Sequence, residues 1–117
     1  GVAARVAEWI SAANQGRRGV RGLGPVGAVV GANVASEVED WRRRLPAAWF
    51  LVPGYGAQGG VAADVGPHFR RDGLGALVVS ARGVLFPPPG DVSDAWREGI
   101  AARTRAFVAD LRTAVPL

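Results

Sequence analysis

The stretch WFLVPGYGAQGG, residues 49–60, joins a short apolar run to a loop that contains four glycines. The run ends at a proline–glycine pair, and its length and continuity are typical of a strand that is buried on both faces of a sheet. The glycine-rich loop, GYGAQGG at 54–60, is followed by a helical pattern. A buried strand that leads through glycines into a helix predicts one βα unit of an α/β protein.

The same pattern recurs on both sides of this unit. PVGAVVGA at 25–32 and LGALVVS at 74–80 predict two further strands. Apolar residues at helical spacing predict helices over 2–13, 36–44, 61–71 and from about 93 onward, where Trp96, Ile100, Phe107 and Leu111 share a face. The strict alternation predicts three parallel strands alternating with four helices, joined by right-handed crossovers.

Several residues are candidates for the helix boundaries. Ser36 is positioned to cap the second helix, and Asp91 or Ser93 to cap the last one. Pro67 predicts a bend or a restart within the third helix. The prolines at 87–89 predict a stiff linker between the last strand and the last helix.

Three strands do not make a self-sufficient sheet. Both edge strands would expose unpaired backbone groups, which natural proteins cover or close. We therefore expect residues 1–117 to be a single segment of a barrel or doubly wound sheet whose other strands lie upstream. The chain begins on Gly1, directly before a helical pattern, which also indicates a piece of a longer polypeptide.

The composition excludes several kinds of chemistry. The chain has no cysteine, and therefore no disulfide or thiolate site. All 14 basic residues are arginine, so the chain cannot supply a lysine ammonium group. The one histidine, His68, is expected to lie exposed or half-buried at the surface rather than to act as an acid or base. Apolar runs are too short to span a membrane, and the first residues do not form a signal peptide.

The net charge of +4 raises the question of a nucleic-acid partner. The arginines fall in a glycine-rich loop at 17–21 and at the ends of two predicted helices, at 42–44 and 70–71. Cations at the ends of helices offset the negative pole of the dipole, which accounts for most of the excess. An arginine-rich nucleic-acid binder is therefore kept as the weaker hypothesis.

In parallel α/β folds, ligands bind beyond the carboxyl ends of the strands. Three loops lie there: VGAN at 30–33, PGYGAQGG at 53–60 and SARG at 80–83. The glycines of the second loop are expected to expose consecutive N–H groups before a helix, with Gln58 as the long polar side chain. Arg82, two residues after the last strand, could bind a phosphate bidentately. The alternatives are a glycine-rich turn without a ligand and an Arg82–Asp91 pair.

WFLVPGYGAQGG, followed by GALVVSARGVLF and preceded by VGAVVGAN, resembles the C-terminal portion of the orotidine 5'-phosphate decarboxylases, in particular the bacterial subfamily with longer chains. The resemblance implies a (β/α)8 TIM barrel, of which this chain supplies helix 5 and then βα units 6 to 8. It also implies that Pro53 touches the pyrimidine through its backbone and that Gln58 bridges base and phosphate. Arg82 and the N–H groups around Ala81 and Arg82 would bind the phosphate, and Tyr55 would serve packing.

The resemblance further implies a carboxy-lyase that converts orotidine 5'-phosphate to uridine 5'-phosphate in pyrimidine biosynthesis, as a cytoplasmic homodimer without metal or organic cofactor. In that family a lysine and aspartate array on early strands performs the decarboxylation. This chain has no lysine, so we expect no catalytic residue in it and no activity without the N-terminal half of the barrel. The alternative is a non-catalytic phosphate-binding half-barrel that assembles with a partner chain.

Overall fold

The structure is a computed structural model that describes residues 1–86 and 95–115. These residues form three strands, β1 (Ala28–Val29), β2 (Phe50–Val52) and β3 (Ala76–Val78), and five helices, α1 (Val2–Asn14), α2 (Ala35–Arg44), α3 (Ala62–Val65), α4 (Ala81–Leu85) and α5 (Trp96–Leu111). None of these helices is both long and apolar enough to cross a membrane.

The strands form one parallel sheet in the order β1-β2-β3. Ala28 pairs with Phe50, and Phe50 pairs in turn with Ala76. The predicted α/β class with three parallel strands is confirmed. All three carboxyl ends therefore lie at the same edge of the sheet, which brings the three loops after the strands together.

Helices cover one face of the sheet. Phe50 and Val52 alternate with Leu51 along β2, and both are fully buried against Val38 of α2 and Val65 of α3. This alternation is the two-residue period of a strand. The hydrophobic core therefore lies between the sheet and the helices on a single side.

The opposite face of the sheet is apolar and exposed. Val29, Leu51 and Leu77 are direct neighbours across the three strands and are 70%, 40% and 53% exposed. The expectation of strands buried on both faces is therefore wrong for this chain, because no described segment packs on that side. The chain exposes 7613 Å², whereas a compact monomer of 12.1 kDa is expected to expose roughly 6,000 Å².

Helix boundaries differ from the prediction at three places. Four helices are expected, but the described residues form five, because residues 81–85 of SARGVL fold into the short helix α4 directly after β3. The third helix ends at Val65 and continues as a 3-10 turn over Gly66–His68, at the predicted position of Pro67. Ser36 does not cap α2, which begins one residue earlier after a 3-10 turn over Ala32–Val34. Asp91, Ser93 and the prolines at 87–89 lie outside the described residues.

The sequence pattern predicts that Arg42 lies at the surface and offsets the dipole of α2. This prediction is wrong. Its guanidinium turns inward and lies over the ring of Phe50, 3.6 Å from the centroid. It donates hydrogen bonds of 2.7–3.1 Å to the carbonyl oxygens of four residues, Leu45, Ala48, His68 and Gly75. Arg42 therefore ties α2 to the segments that lead into β2 and β3.

His68 is fully buried, so the expectation of a surface histidine is wrong. Its Nδ1 lies 3.2 Å from the carbonyl oxygen of Val65, and its Nε2 lies 3.2 Å from that of Gly31. The ring meets Phe50 edge-on. Burial lowers the pKa of His68, and the neighbouring Arg42 charge acts in the same direction. The neutral ring has one N–H and can donate to only one of these two carbonyls, so it packs between the 3-10 turn after α3 and the segment after β1 with a single hydrogen bond.

We predict that the free energy of unfolding decreases as the pH falls from 6.5 towards 5. The histidine of the unfolded chain takes up a proton near pH 6.5, whereas buried His68 resists protonation, so acid favours the unfolded state by up to about 1.4 kcal/mol per pH unit. Urea titration at several pH values measures this slope. His68→Gln lacks the titrating group and serves as the control, and equal slopes in the two proteins would contradict the prediction.

Candidate functional site

The loops after β2 and β3 enclose one pocket of about 200 Å³ at the carboxyl edge of the sheet. The pocket is lined by Pro53, Gly54, Tyr55, Ala57, Gln58, Val79, Ser80, Ala81 and Arg82. All four residues selected from the sequence, Pro53, Gln58, Ala81 and Arg82, therefore lie in the same pocket. Two segments that are more than 20 residues apart in the chain meet there because parallel strands end at a common edge.

The loop at 54–60 is closed by its own backbone. The amide of Gly56 donates to the Gly60 carbonyl (2.8 Å), that of Gly59 to Gly56 (2.7 Å) and that of Gly60 to Gly54 (3.1 Å). Three of the four glycine amides are thus used within the loop, and the expected run of exposed glycine N–H groups is not formed. The glycines shape the turn, since Gly54, Gly56 and Gly59 have positive φ angles of 75–100°.

The start of α3 has a negative charge of its own. The Asp64 carboxylate accepts a hydrogen bond of 3.0 Å from the amide of Val61, the residue that precedes the helix. This carboxylate offsets the positive pole of the short helix and disfavours a bound anion there.

Gln58 extends from the loop at an exposed position. Its Oε1 lies close over Gly54, where an added Cβ would come within 3.3 Å of that oxygen. The absence of a side chain at Gly54 thus leaves room for the carboxamide to lie along the floor of the pocket. Gln58 offers both a donor and an acceptor there.

The other side of the pocket is formed by the loop after β3 and by α4. This short helix begins directly after Ser80, and its first turn contains Ala81 and Arg82, both exposed. The first N–H groups of a helix have no carbonyl partner within it. Arg82 and the first turn of α4 therefore line the pocket from the loop after β3, and Gln58 lines it from the loop after β2.

Ser80 links the two sides of the pocket and was not selected from the sequence. Its hydroxyl donates to the carbonyl oxygen of Tyr55 at 3.2 Å. The sequence shows that Ser80 begins the loop after β3. It does not show the partner of the Ser80 hydroxyl, which lies 25 residues away.

Pro53 has one backbone polar group, its carbonyl, which accepts a hydrogen bond of 2.9 Å from the amide of Ala32. A carbonyl oxygen has two lone pairs, so this hydrogen bond uses only part of its capacity as an acceptor. The loop after β1 thus supports the floor of the pocket through Pro53.

Tyr55 is 9% exposed and packs edge-to-face on Phe107 of α5, with ring centroids 4.6 Å apart. Its hydroxyl donates a hydrogen bond to the carboxylate of Asp110. Burial, together with Asp110, raises the pKa of Tyr55 to about 12. The side chain points away from solvent, in agreement with the packing role expected for it.

Most of the other arginines near the opposite end of the sheet have local partners. A groove of about 500 Å³ there is lined by residues that include Arg18, Arg42, Arg43, Arg70 and Arg71. Arg43 pairs with Asp40, and Arg70 pairs with Asp72. With the inward-facing Arg42 included, three of the five arginines that line this groove therefore have partners within the chain.

The chain is similar in sequence to orotidine 5'-phosphate decarboxylases. That of Rhodopirellula baltica is 44% identical over 81 residues, which cover 69% of this chain and 27% of the relative. That of Halobacterium salinarum is 45% identical over 106 residues, which cover 88% and 35%. No family model matches the chain. The chain thus spans about a third or less of the length of these relatives.

Solved structures give the same result. A Toxoplasma gondii protein described as an orotidine-monophosphate-decarboxylase superposes with a TM-score of 0.65 at 27% identity, over 94% of this chain and 38% of its own length. The Leishmania donovani UMP synthase superposes with a TM-score of 0.55 at 34% identity, over 76% and 19%. The resemblance inferred from PGYGAQGG and the arginine after the next strand is confirmed.

Proposed function

We propose that residues 1–117 are the C-terminal part of an orotidine 5'-phosphate decarboxylase and that they hold the phosphate and the pyrimidine of the nucleotide. The observation that carries this proposal is the pocket that Gln58 and Arg82 line together from two neighbouring loops. The similarity to decarboxylases over most of the chain supplies the reaction.

The exposed face of the sheet supports assignment to a partial (β/α)8 barrel. In such a barrel one face of every strand packs into the interior, and the helices cover the outside. The row of Val29, Leu51 and Leu77 would lie in that interior. We assign α1 as helix 5 and β1, β2 and β3 as strands 6, 7 and 8, so that the missing strands pair with the free edges of β1 and β3.

The chemistry of the pocket suits a phosphate monoester dianion. Arg82 supplies a planar fork of N–H donors that matches two phosphate oxygens, and the first turn of α4 adds backbone donors. We assign Gln58 to the bridge between the phosphate and the base, and the backbone of Pro53 to the contact with the pyrimidine. Ala81 contributes only its backbone amide, because its side chain has no polar atom.

Catalysis itself is assigned to the remainder of the barrel. A lysine ammonium group there would protonate the carbon from which CO2 departs, and this chain contains no lysine. The phosphate contacts of this chain provide binding energy remote from the reacting carbon, which helps to hold the reactive state. The proposal needs no metal or organic cofactor, and it places the enzyme in the cytoplasm as a homodimer.

The alternative is a non-catalytic half-barrel that binds phosphorylated ligands after assembly with a partner chain. The absence of lysine from the chain and the open edges of the sheet fit this alternative as well as they fit the decarboxylase. Both hypotheses include the phosphate site, but only the first predicts decarboxylation of the nucleotide.

The test uses an assembled barrel, meaning this chain joined to the N-terminal segment of the Halobacterium salinarum relative. The proposal predicts that the assembled barrel decarboxylates orotidine 5'-phosphate, measured by the loss of its ultraviolet absorbance, and that the chain alone does not. Binding of uridine 5'-phosphate without turnover would support the half-barrel instead. Neither binding nor turnover in a folded assembled barrel would refute both.

Gln58→Glu provides a test of the phosphate contact at nearly constant shape. The added carboxylate would face the phosphate dianion, so we expect it to weaken the binding of uridine 5'-phosphate by about tenfold or more, and by more than Gln58→Ala does. Titration calorimetry on the assembled barrel with uridine 5'-phosphate and with uridine measures the difference. Equal losses for the two ligands would show that Gln58 does not face the phosphate.

A further inference from the structure

Helix α5 contacts both sides of the pocket from one of its faces. Asp110 accepts a hydrogen bond from the Tyr55 hydroxyl in the loop after β2. Arg103 donates from its Nε to the carbonyl oxygen of Val84 in α4, at 2.9 Å. Positions 103 and 110 are two helical turns apart and therefore lie on the same side of α5.

The contact with the loop is made by the buried Tyr55 and the half-buried Phe107. The Tyr55 ring stands at 89° to Phe107, which lies one turn before Asp110 on α5. Tyr55 and Gly60 pair at the base of the loop, so the position of Tyr55 determines where the tip that contains Gln58 lies.

A second, open cavity of about 350 Å³ lies beside the pocket and is lined by Tyr55, Gly56, Ser80 and Gly83 and by residues of α5. The Ser80–Tyr55 hydrogen bond crosses it next to the pocket. Helix α5 lines this cavity and contacts both the loop after β2 and α4.

We infer that Asp110 and Arg103 are positioning residues, through which α5 sets the separation between Gln58 and Arg82 and hence the affinity for the phosphate. This inference rests on the proposed function. Neither residue lines the pocket, so both act through Tyr55 and α4 and not on the ligand.

The experiment measures dissociation constants of the assembled barrel for uridine 5'-phosphate and for uridine. We expect Tyr55→Phe, Asp110→Ala and Arg103→Ala each to weaken uridine 5'-phosphate binding by roughly fivefold, the scale of one ordinary hydrogen bond, because each residue acts on the ligand only indirectly. Uridine binding should change less. Tyr55→Phe keeps the ring on Phe107, so it tests the hydroxyl without emptying the core.

A double-mutant cycle separates positioning from a general loss of stability. Because Tyr55 and Asp110 share one hydrogen bond, the double variant should bind no more weakly than either single variant. Asp110→Asn keeps an oxygen acceptor and should restore most of the affinity. Arg105→Ala, exposed and two positions from Arg103 on another side of α5, is the matched control and should bind like the parent.

Affinities within twofold of the parent in Tyr55→Phe, Asp110→Ala and Arg103→Ala would overturn the inference, as would fully additive losses in the double variant. If Arg82→Ala weakens binding in the same experiment, the proposed function stands while the role of α5 falls. If Arg82→Ala has no effect either, the proposed function itself fails.

Discussion

Replacement of Arg82 by alanine is expected to weaken the binding of uridine 5'-phosphate to the assembled barrel by about 100-fold, the scale of a charge-assisted, bidentate contact. Uridine, which has no phosphate, should bind equally well to both proteins. The two affinities are measured by titration calorimetry. For the decarboxylation of orotidine 5'-phosphate, we expect a strong rise in KM and a lower kcat, because part of the phosphate binding energy holds the reactive state.

Two variants sharpen this prediction. Arg82→Lys keeps the charge but loses the planar fork, so it should recover only part of the affinity. Arg71→Ala removes an exposed guanidinium near the opposite end of the sheet and should leave binding unchanged. Equal losses of affinity in Arg71→Ala and Arg82→Ala would show that the ligand is attracted by the overall positive charge of the chain and not by a site at α4.

Arg42→Ala is expected to destabilise the folded chain by about 4 kcal/mol, because it leaves several buried carbonyl oxygens without their donors. The guanidinium donates to carbonyls of Leu45, Ala48, His68 and Gly75, and it covers the ring of Phe50 at the centre of the core. Burial, with a contribution from Arg70, lowers the pKa of Arg42 to about 10, so the group is still charged at neutral pH. Urea denaturation followed by tryptophan fluorescence measures the loss.

Arg43 provides the matched control, since it is the next residue on the same helix and forms an exposed ion pair with Asp40. Arg43→Ala should cost less than about 1 kcal/mol. Arg42→Lys should lie between the two, because an ammonium group cannot reach all four carbonyls. A loss for Arg42→Ala as small as that for Arg43→Ala would show that the carbonyls find other partners.

The order of helices and strands was predictable because apolar runs and glycine–proline breaks are local features of the sequence. PVGAVVGA, WFLVPG and LGALVVS each contain one of the three strands. The short helix α4 was missed, because five residues that include Gly83 give no helical period. The burial of the strands was also misjudged, since an apolar run does not show whether both faces are covered within the same chain.

The inward turn of Arg42 and the burial of His68 were not predictable from local pattern. A run of three arginines at a helix end is typical of a solvated surface, and one of the three faces the core only because carbonyls 26 and 33 residues away meet there. His68 follows a proline in a polar segment, and its partner at Gly31 is 37 residues away. Contacts of this range depend on the packing of α2 and α3 against the sheet.

The candidate site was largely predictable, because it lies where a parallel sheet must place it. Gln58 and Arg82 each follow a strand, so the sheet alone brings them to one edge. The donors of the glycine-rich loop were not predictable, because the amides of Gly56 and Gly60 close their own loop. The resemblance did direct attention to the amides around Ala81 and Arg82, but not to the short helix that begins there. Asp110, 55 residues from Tyr55, carries no sequence pattern that connects it to the site.

A crystal structure of the assembled barrel with uridine 5'-phosphate tests the central proposal most directly. We expect the phosphate to lie within hydrogen-bonding distance, about 3 Å, of both the Arg82 guanidinium and the Gln58 carboxamide, above the first turn of α4. A nucleotide whose phosphate is bound elsewhere, with Arg82 and Gln58 both facing solvent, would contradict it.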